Sequence, residues 1–134
     1  MTAPLRVACA LIAENGRLFA AKRGPSRRNA GLWELPGGKV EDGETVRACI
    51  VRELREELGM AVEPIDEWDP VHHKEPGLNL LLIPVVCRRI GGALEPTEHV
   101  ETGWFGPAAL RKLAWSPADI PVMERWLSCC AKGG

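Results

Sequence analysis

Glu53, Glu56 and Glu57 stand at offsets of three and four. On a helix turning ~100° per residue, that spacing gathers three carboxylates on about a quarter to a third of the circumference. Like charges so placed repel by roughly a few tenths of a kcal/mol per pair, so their retention points to a positive ion between them. The donors are oxygens only, with no imidazole or thiolate in the cluster, which suits a hard divalent cation such as Mg²⁺ or Mn²⁺. The chemistry that uses such an ion against several negative charges is hydrolysis of a phosphoanhydride. There the cation neutralises charge building on phosphoryl and leaving oxygens and acidifies a water.

The carboxylates belong to a longer pattern. Gly38 is followed after five residues by Glu44, and after seven more by Arg52-Glu53-Leu54-Arg55-Glu56-Glu57-Leu58-Gly59-Met60. An ordinary charged amphipathic helix would account for the run from Arg52 to Leu58 alone. It would not supply the upstream glycine and Glu44 or the closing Gly-Met, and the full pattern has a chance on the order of 10⁻⁹ from average residue usage. At every position it resembles the box of the Nudix hydrolase family, G-x(5)-E-x(7)-R-E-U-x-E-E-x-G-U with U aliphatic, and within that family the MutT-type enzymes.

The resemblance carries expectations about residues. It implies that Glu53, Glu56 and Glu57 hold metal, with Glu53 also the general base; an ordinary glutamate is ionised at neutral pH, as a base must be. It implies that the carbonyl of Gly37 is a further metal ligand. Glu98, six residues before Trp104, matches an additional metal-binding glutamate of MutT-type enzymes, with Glu95 and Glu101 as its competitors. Arg52 lies within ion-pair reach of Glu56 and is expected to orient a glutamate, so that Glu53, Arg52 and Glu98 form the catalytic set. Glu44 gains from the positive end of the helix dipole and can be purely structural. Arg23 matches a phosphate-contacting arginine, while Arg27 and Arg28 stay unassigned. Lys39 is either a phosphate contact or a solvated lysine.

The base is less closely specified. Trp115-Ser116-Pro117-Ala118-Asp119-Ile120-Pro121 resembles the P-A-D-I-P run of bacterial CTP pyrophosphohydrolases, and MutT-type 8-oxo-dGTP enzymes place asparagine at the position of Asp119. An ionised carboxylate there can accept from the cytosine N4 amino group, or from guanine N1–H and N2–H₂; equally, Asp119 can be a helix N-terminal residue favoured by the dipole. The wider local match, LWELPGGKVE with VRELREELG, favours a pyrophosphohydrolase of cytosine nucleotides (CTP, dCTP or 5-methylated forms), with 8-oxo-dGTP diphosphatase as the runner-up. A catalytically inert nucleotide sensor is the alternative of another class, but such proteins usually lose box glutamates and none is missing here. A DNA-lesion recognition domain is disfavoured by the complete box and a formal net charge of −1.

These residues need elements to position them. The 134 residues, 46% hydrophobic and 26% charged, suit one soluble domain over 1–134. The resemblance makes it an α/β fold: an α/β/α sandwich with a mixed β-sheet and the catalytic helix following a glycine-rich loop. Strands over 5–13 and 18–23 are joined by Asn15-Gly16. A Gly, Pro and Arg-rich loop leads to an extended Leu32–Leu35 and the turn Pro36-Gly37-Gly38. The helix is expected from Gly43 or Glu44 to a glycine cap at Gly59, with Ile50, Val51, Leu54 and Leu58 as its apolar arc. Strands follow at 61–65, at 78–88 with a turn at Gly91-Gly92, and at 102–105, with a short helix over 107–112. Ser116 is expected to cap a last helix opened by Pro117 and running to about Cys129.

No apolar run is long enough for a bilayer, the longest near the N-terminus being Val7 to Ala13. Five cysteines without a C-x-x-C pair suggest reduced thiols and a cytoplasmic protein. His72, His73 and His99 lack metal-ligand spacing and are expected at the surface or satisfied as polar groups. The expected partner is a small-molecule nucleotide, with no nucleic-acid polymer and no membrane, in a monomer or homodimer.

Overall fold

The computed structural model describes residues 3–96 and 99–130, with the backbone alone at Val100. The first strand, β1 (Leu5–Glu14), organises the sheet. It turns at Asn15-Gly16 into β2 (Arg17–Arg23). Both turn residues have positive φ, 53° and 75°, the conformation a two-residue hairpin of this twist requires. On β2 pair β3 (Trp33–Glu34) and β8 (His99–Phe105), both antiparallel. Further back along β1, β4 (Gly37–Lys39) pairs antiparallel with Val7–Cys9. On the other side β7 (Leu78–Gly91) runs parallel to β1 from Leu5 to Ile12. β5 (Ala61–Glu67) and β6 (Val71–Glu75) both pair antiparallel with β7. The sheet is thus mixed, as expected.

Helix α1 (Val46–Leu58) covers one face. The other carries α2 (Pro107–Lys112) and α3 (Ile120–Cys129), the latter entered through a 3₁₀ turn at Pro117–Asp119. Alternation along β1 feeds both layers. Ala8, Ala10 and Ile12 pack with Ile50, Leu54 and Leu58, whereas Cys9 and Leu11 pack with Trp115, Val122 and Trp126. Each fully buried leucine, isoleucine or valine in these layers contributes about 1.5–3 kcal/mol.

Several expectations need correction. The helix begins at Val46, because Thr45 keeps an extended backbone and its Oγ1 accepts from the Ala48 N–H at 3.1 Å. Gly43, at φ 78°, belongs to the preceding turn, and Glu44 therefore lies outside the helix. The stop at Gly59 is as expected: it is left-handed at φ 66°, its N–H on the Arg55 carbonyl and that of Met60 on Leu54. Val51 is only half-buried; Val46 and Cys49 complete the buried arc instead. Strand β6 and its Pro76-Gly77 turn were not expected, and β7 continues through Gly91, with Gly92 at φ 89° making the turn. Ser116 forms no cap bond; its Oγ accepts from the Asn29 amide at 3.1 Å.

Candidate active site

Two glycines let β4 run between β1 and α1. A Cβ at Gly37 would collide with the carbonyl oxygen of Ala8, and one at Gly38 would lie within the Glu53 carboxyl group. The pair thus lies against β1 and against an acid of α1. Beneath them the Cys49 thiol donates towards the carbonyls of Gly38 and Lys39, at 3.6 and 3.5 Å. Burial pushes that thiol up to about 12, so it stays protonated.

Arg52 ties the turn to the helix. Its Nε and Nη2 donate to the two oxygens of Glu44 at 2.7 and 2.9 Å, and Nη1 donates to Glu53 at 2.9 Å. Nη2 also donates to the Lys39 carbonyl at 3.2 Å, and Nη1 to Glu56 at 3.3 Å. The expected pairing with Glu56 is thus present but is the longest of the set. This is a bidentate fork, the geometry in which arginine differs from lysine. Hydrogen bonding from Arg52, helped by the Glu41 backbone N–H, holds the Glu44 carboxyl down to about 2. Glu44 has a specific partner, which accounts for it better than the dipole alone.

The three box glutamates differ in setting. The Glu53 side chain is 13% exposed and that of Glu56 60%, while Glu57 is half-buried. Burial, followed by a hydrogen bond and the charge of Glu53, raises the Glu57 carboxyl well above the usual carboxylate range, with Arg27 opposing. Among the described residues no three His, Cys, Asp or Glu side chains already converge closely enough to hold a metal. The donor set nevertheless fits a hard divalent cation: Glu53 and Glu57 are oxygen donors close enough to share a hydrogen bond, and a cation would replace the proton between them. Glu98 lies outside the described residues. Of its competitors, Glu95 is exposed, with its backbone N–H on the Leu58 carbonyl, and Glu101 is exposed on β8.

A second cluster was not foreseen. Glu34 is buried on β3, and three cationic or potentially cationic groups converge on it. Arg23 Nη1 lies at 3.1 Å, Arg27 Nη1 at 3.3 Å and His99 Nε2 at 2.7 Å. His99 is therefore a buried polar residue rather than a surface one; its Nδ1, like Arg23 Nε, has no hydrogen-bond partner. The available signal was a charged residue inside the apolar run Leu32-Trp33-Glu34-Leu35, which half-buried strands rarely carry unpaired. Arg28 turns elsewhere, to Glu75 at 3.2 Å, while His72 binds the Asn79 side chain at 2.6 Å.

Arg23, Glu34, Gly37, Gly38, Lys39 and Asp119 all line one cavity of about 280 Å³, floored by leucines of β7. The Arg23, Gly37, Lys39 and Asp119 singled out by sequence thus share a concave site, and its size approaches the lower end of small-molecule pockets, about 300 Å³. Asp119 ends the 3₁₀ turn but caps nothing. Its buried carboxyl instead accepts from the Leu35 backbone N–H. Burial, then the charge of Glu34, raises its pKa well above the usual range, against the lowering effect of Leu35 and Arg23.

The NUDIX domain model matches residues 2–126 of the chain. The chain is 35% identical over 125 residues to the CTP pyrophosphohydrolase of Escherichia coli K12, covering 92% of each protein. It is 29% identical over 122 residues to the 8-oxo-dGTP diphosphatase of the same strain, covering 90% of this chain and 95% of that one. The crystal structure of a MutT NUDIX hydrolase from Burkholderia pseudomallei is similar with a TM-score of 0.80 at 30% identity, over 92% of this chain and 98% of the other.

Proposed function

The chain belongs to the Nudix hydrolase family, and from that premise we propose that it cleaves a nucleoside triphosphate to the monophosphate and pyrophosphate, preferring cytosine nucleotides (CTP, dCTP or 5-methylated forms). The observation that carries this reading is the lock on Glu53: Arg52 donates to it at 2.9 Å while itself forked onto Glu44, and Gly38 leaves the space its carboxylate fills. An acid fixed in this way is suited to act as a general base on water, since proton transfer needs position first and pKa second.

Glu53, Glu56 and Glu57, with the Gly37 carbonyl and Glu98, are the groups that would hold the divalent cation, Mg²⁺ or Mn²⁺. When bound, that ion neutralises phosphate charge and acidifies water. Arg52 orients Glu53 and does not touch substrate. Arg23 and Lys39 face the cavity as donors for the polyphosphate, and Asp119 reads the base.

Similarity to the CTP pyrophosphohydrolase over 92% of the chain and the acid at position 119 support cytosine. The second reading, 8-oxo-dGTP diphosphatase, is supported by the 29% identity to that enzyme of Escherichia coli. The complete set of box carboxylates favours turnover over an inert sensor. A kcat/KM panel across CTP, dCTP, 5-methyl-dCTP, dGTP and 8-oxo-dGTP with Mg²⁺ tests the assignment. The highest value should fall on a cytosine nucleotide; a panel led by 8-oxo-dGTP would replace that reading with the second one.

A further inference from the structure

Two carboxyl groups, Glu34 and Asp119, line the same cavity, and its cations are divided unequally between them. Arg23, Arg27 and His99 all bond to Glu34. Among the described residues no guanidinium or imidazole pairs with Asp119, which has the single backbone N–H of Leu35. Other charged groups lining the cavity are engaged with each other: Arg28 lies 3.2 Å from Glu75, and His73 3.7 Å from the same acid. Lys39 lines it from β4, and from β1 the buried thiol of Cys9 faces Asp119, raised by burial and remaining uncharged. Cations gathered on one acid are withheld from its neighbour, and an acid without a cationic partner favours its protonated form. Burial of Asp119 acts in the same direction.

We propose that Asp119 reads cytosine as a neutral carboxylic acid, its hydroxyl donating to N3 and its carbonyl oxygen accepting from the N4 amino group. This rests on the cytosine reading above and supplies the donor to N3 that an ionised carboxylate lacks. A carboxylate offers two acceptors: it matches the paired donors N1–H and N2–H₂ of guanine, and sets a lone pair against N3 of cytosine. The acid offers a donor beside an acceptor: it fits N3 and N4–H₂ of cytosine with two hydrogen bonds, and O6 and N1–H of guanine as well, so that the proton is what admits cytosine. Binding of cytosine at this site thus depends on the proton of Asp119.

The test joins a direct titration to a ratio of rates. In protein labelled with ¹³C at aspartate carboxyls, the Asp119 resonance is assigned by its loss in Asp119→Asn and followed from about pH 6 to about 9. Over the same range kcat/KM is measured for CTP and dGTP with Mg²⁺, since the ratio cancels ionisations common to both substrates. The Asp119 carboxyl should be protonated at neutral pH. The CTP/dGTP ratio should fall by up to about tenfold per pH unit wherever that carboxyl ionises. Asp119→Asn, whose amide also pairs a donor with an acceptor, should still turn over CTP, at a CTP/dGTP ratio that no longer depends on pH, whereas Asp119→Ala should lower kcat/KM for CTP across the range. An ionised Asp119 at neutral pH overturns the proposal, as does a CTP/dGTP ratio that still varies with pH in Asp119→Asn. A protonated Asp119 in an enzyme that never favours CTP overturns the cytosine reading itself, and with it the assigned hydrogen bonds.

Discussion

The carboxylate of Glu53 occupies the space in which a side chain at Gly38 would begin, so that a Cβ there would lie 2.5 and 2.6 Å from its two oxygens. Strand and helix are fitted around one acid, which Arg52 also holds at 2.9 Å. Gly38→Ala should therefore act on Glu53 rather than on the fold, because the far end of a glutamate can swing aside. We expect kcat to fall by about 10²-fold, the scale of a misplacement near 1 Å, with an unchanged circular dichroism spectrum. Gly37→Ala is a contrasting control: its Cβ meets the backbone carbonyl of Ala8, and it should cost about 1–3 kcal/mol of stability, read as a lowered denaturation midpoint.

Glu44 and Arg52 position Glu53 through a fork of 2.7 and 2.9 Å bonds. Glu44→Gln and Arg52→Lys should each lower activity about 10- to 100-fold, the range for groups that orient a ligand or base. Their pH signature has a definite sign. The Glu44 carboxyl is held down to about 2 in the folded protein against about 4.3 for a free glutamate. Its contribution to stability is full above the unfolded value and is lost as pH falls towards the folded one. Glu44→Gln should flatten that acid limb, measured as thermal midpoint between pH 2 and 5.

Glu34 anchors Arg23 and Arg27 at 3.1 and 3.3 Å and His99 at 2.7 Å. Glu34→Gln keeps the shape and removes the charge. It should cost about 1–3 kcal/mol of stability for the donors left unsatisfied and raise KM for CTP more than it lowers kcat. It should also let Asp119 ionise at lower pH, because a like charge has gone. An unchanged KM and Asp119 titration would show that the cluster serves packing alone.

Much of this site was legible in the sequence, for reasons that differ by residue. Box residues are spaced along one helix and one turn, so local geometry alone places Arg52 near Glu53 and Glu56. The expected helix start at Gly43 or Glu44 is too early because Thr45, a capping side chain, sets the boundary. Strand β6 was missed because His72, His73 and Lys74 do not alternate with apolar residues, although Pro76-Gly77 marks its turn. Glu34 and His99 are 65 residues apart and meet only because β3 and β8 both pair with β2. Sequence spacing carries no trace of such a contact.

Glu57 gives a prediction for the cation. Without metal its carboxyl is raised well above the usual range by burial and by Glu53, so a proton competes with the ion. Apparent affinity for Mg²⁺ or Mn²⁺ should tighten as pH rises through that raised pKa, with protons released on binding; calorimetry in buffers of different ionisation enthalpy reads both. The stability sign is the reverse of that for Glu44. With a raised folded pKa, the contribution of Glu57 is full below the unfolded value and lost as pH rises. Protein in chelator should thus lose thermal stability towards alkaline pH, and added cation should restore it.

The fixed Glu53 carboxylate should serve pyrophosphohydrolysis of a nucleoside triphosphate. The direct measurement is the product ratio and rate for CTP with Mg²⁺, in the wild type and in Glu53→Gln. CMP and pyrophosphate should form in equal amounts, with kcat lowered by about 10²–10⁴-fold in the folded variant, the scale of general-base catalysis. Release of CDP and orthophosphate, or near-wild-type turnover by Glu53→Gln, would contradict it.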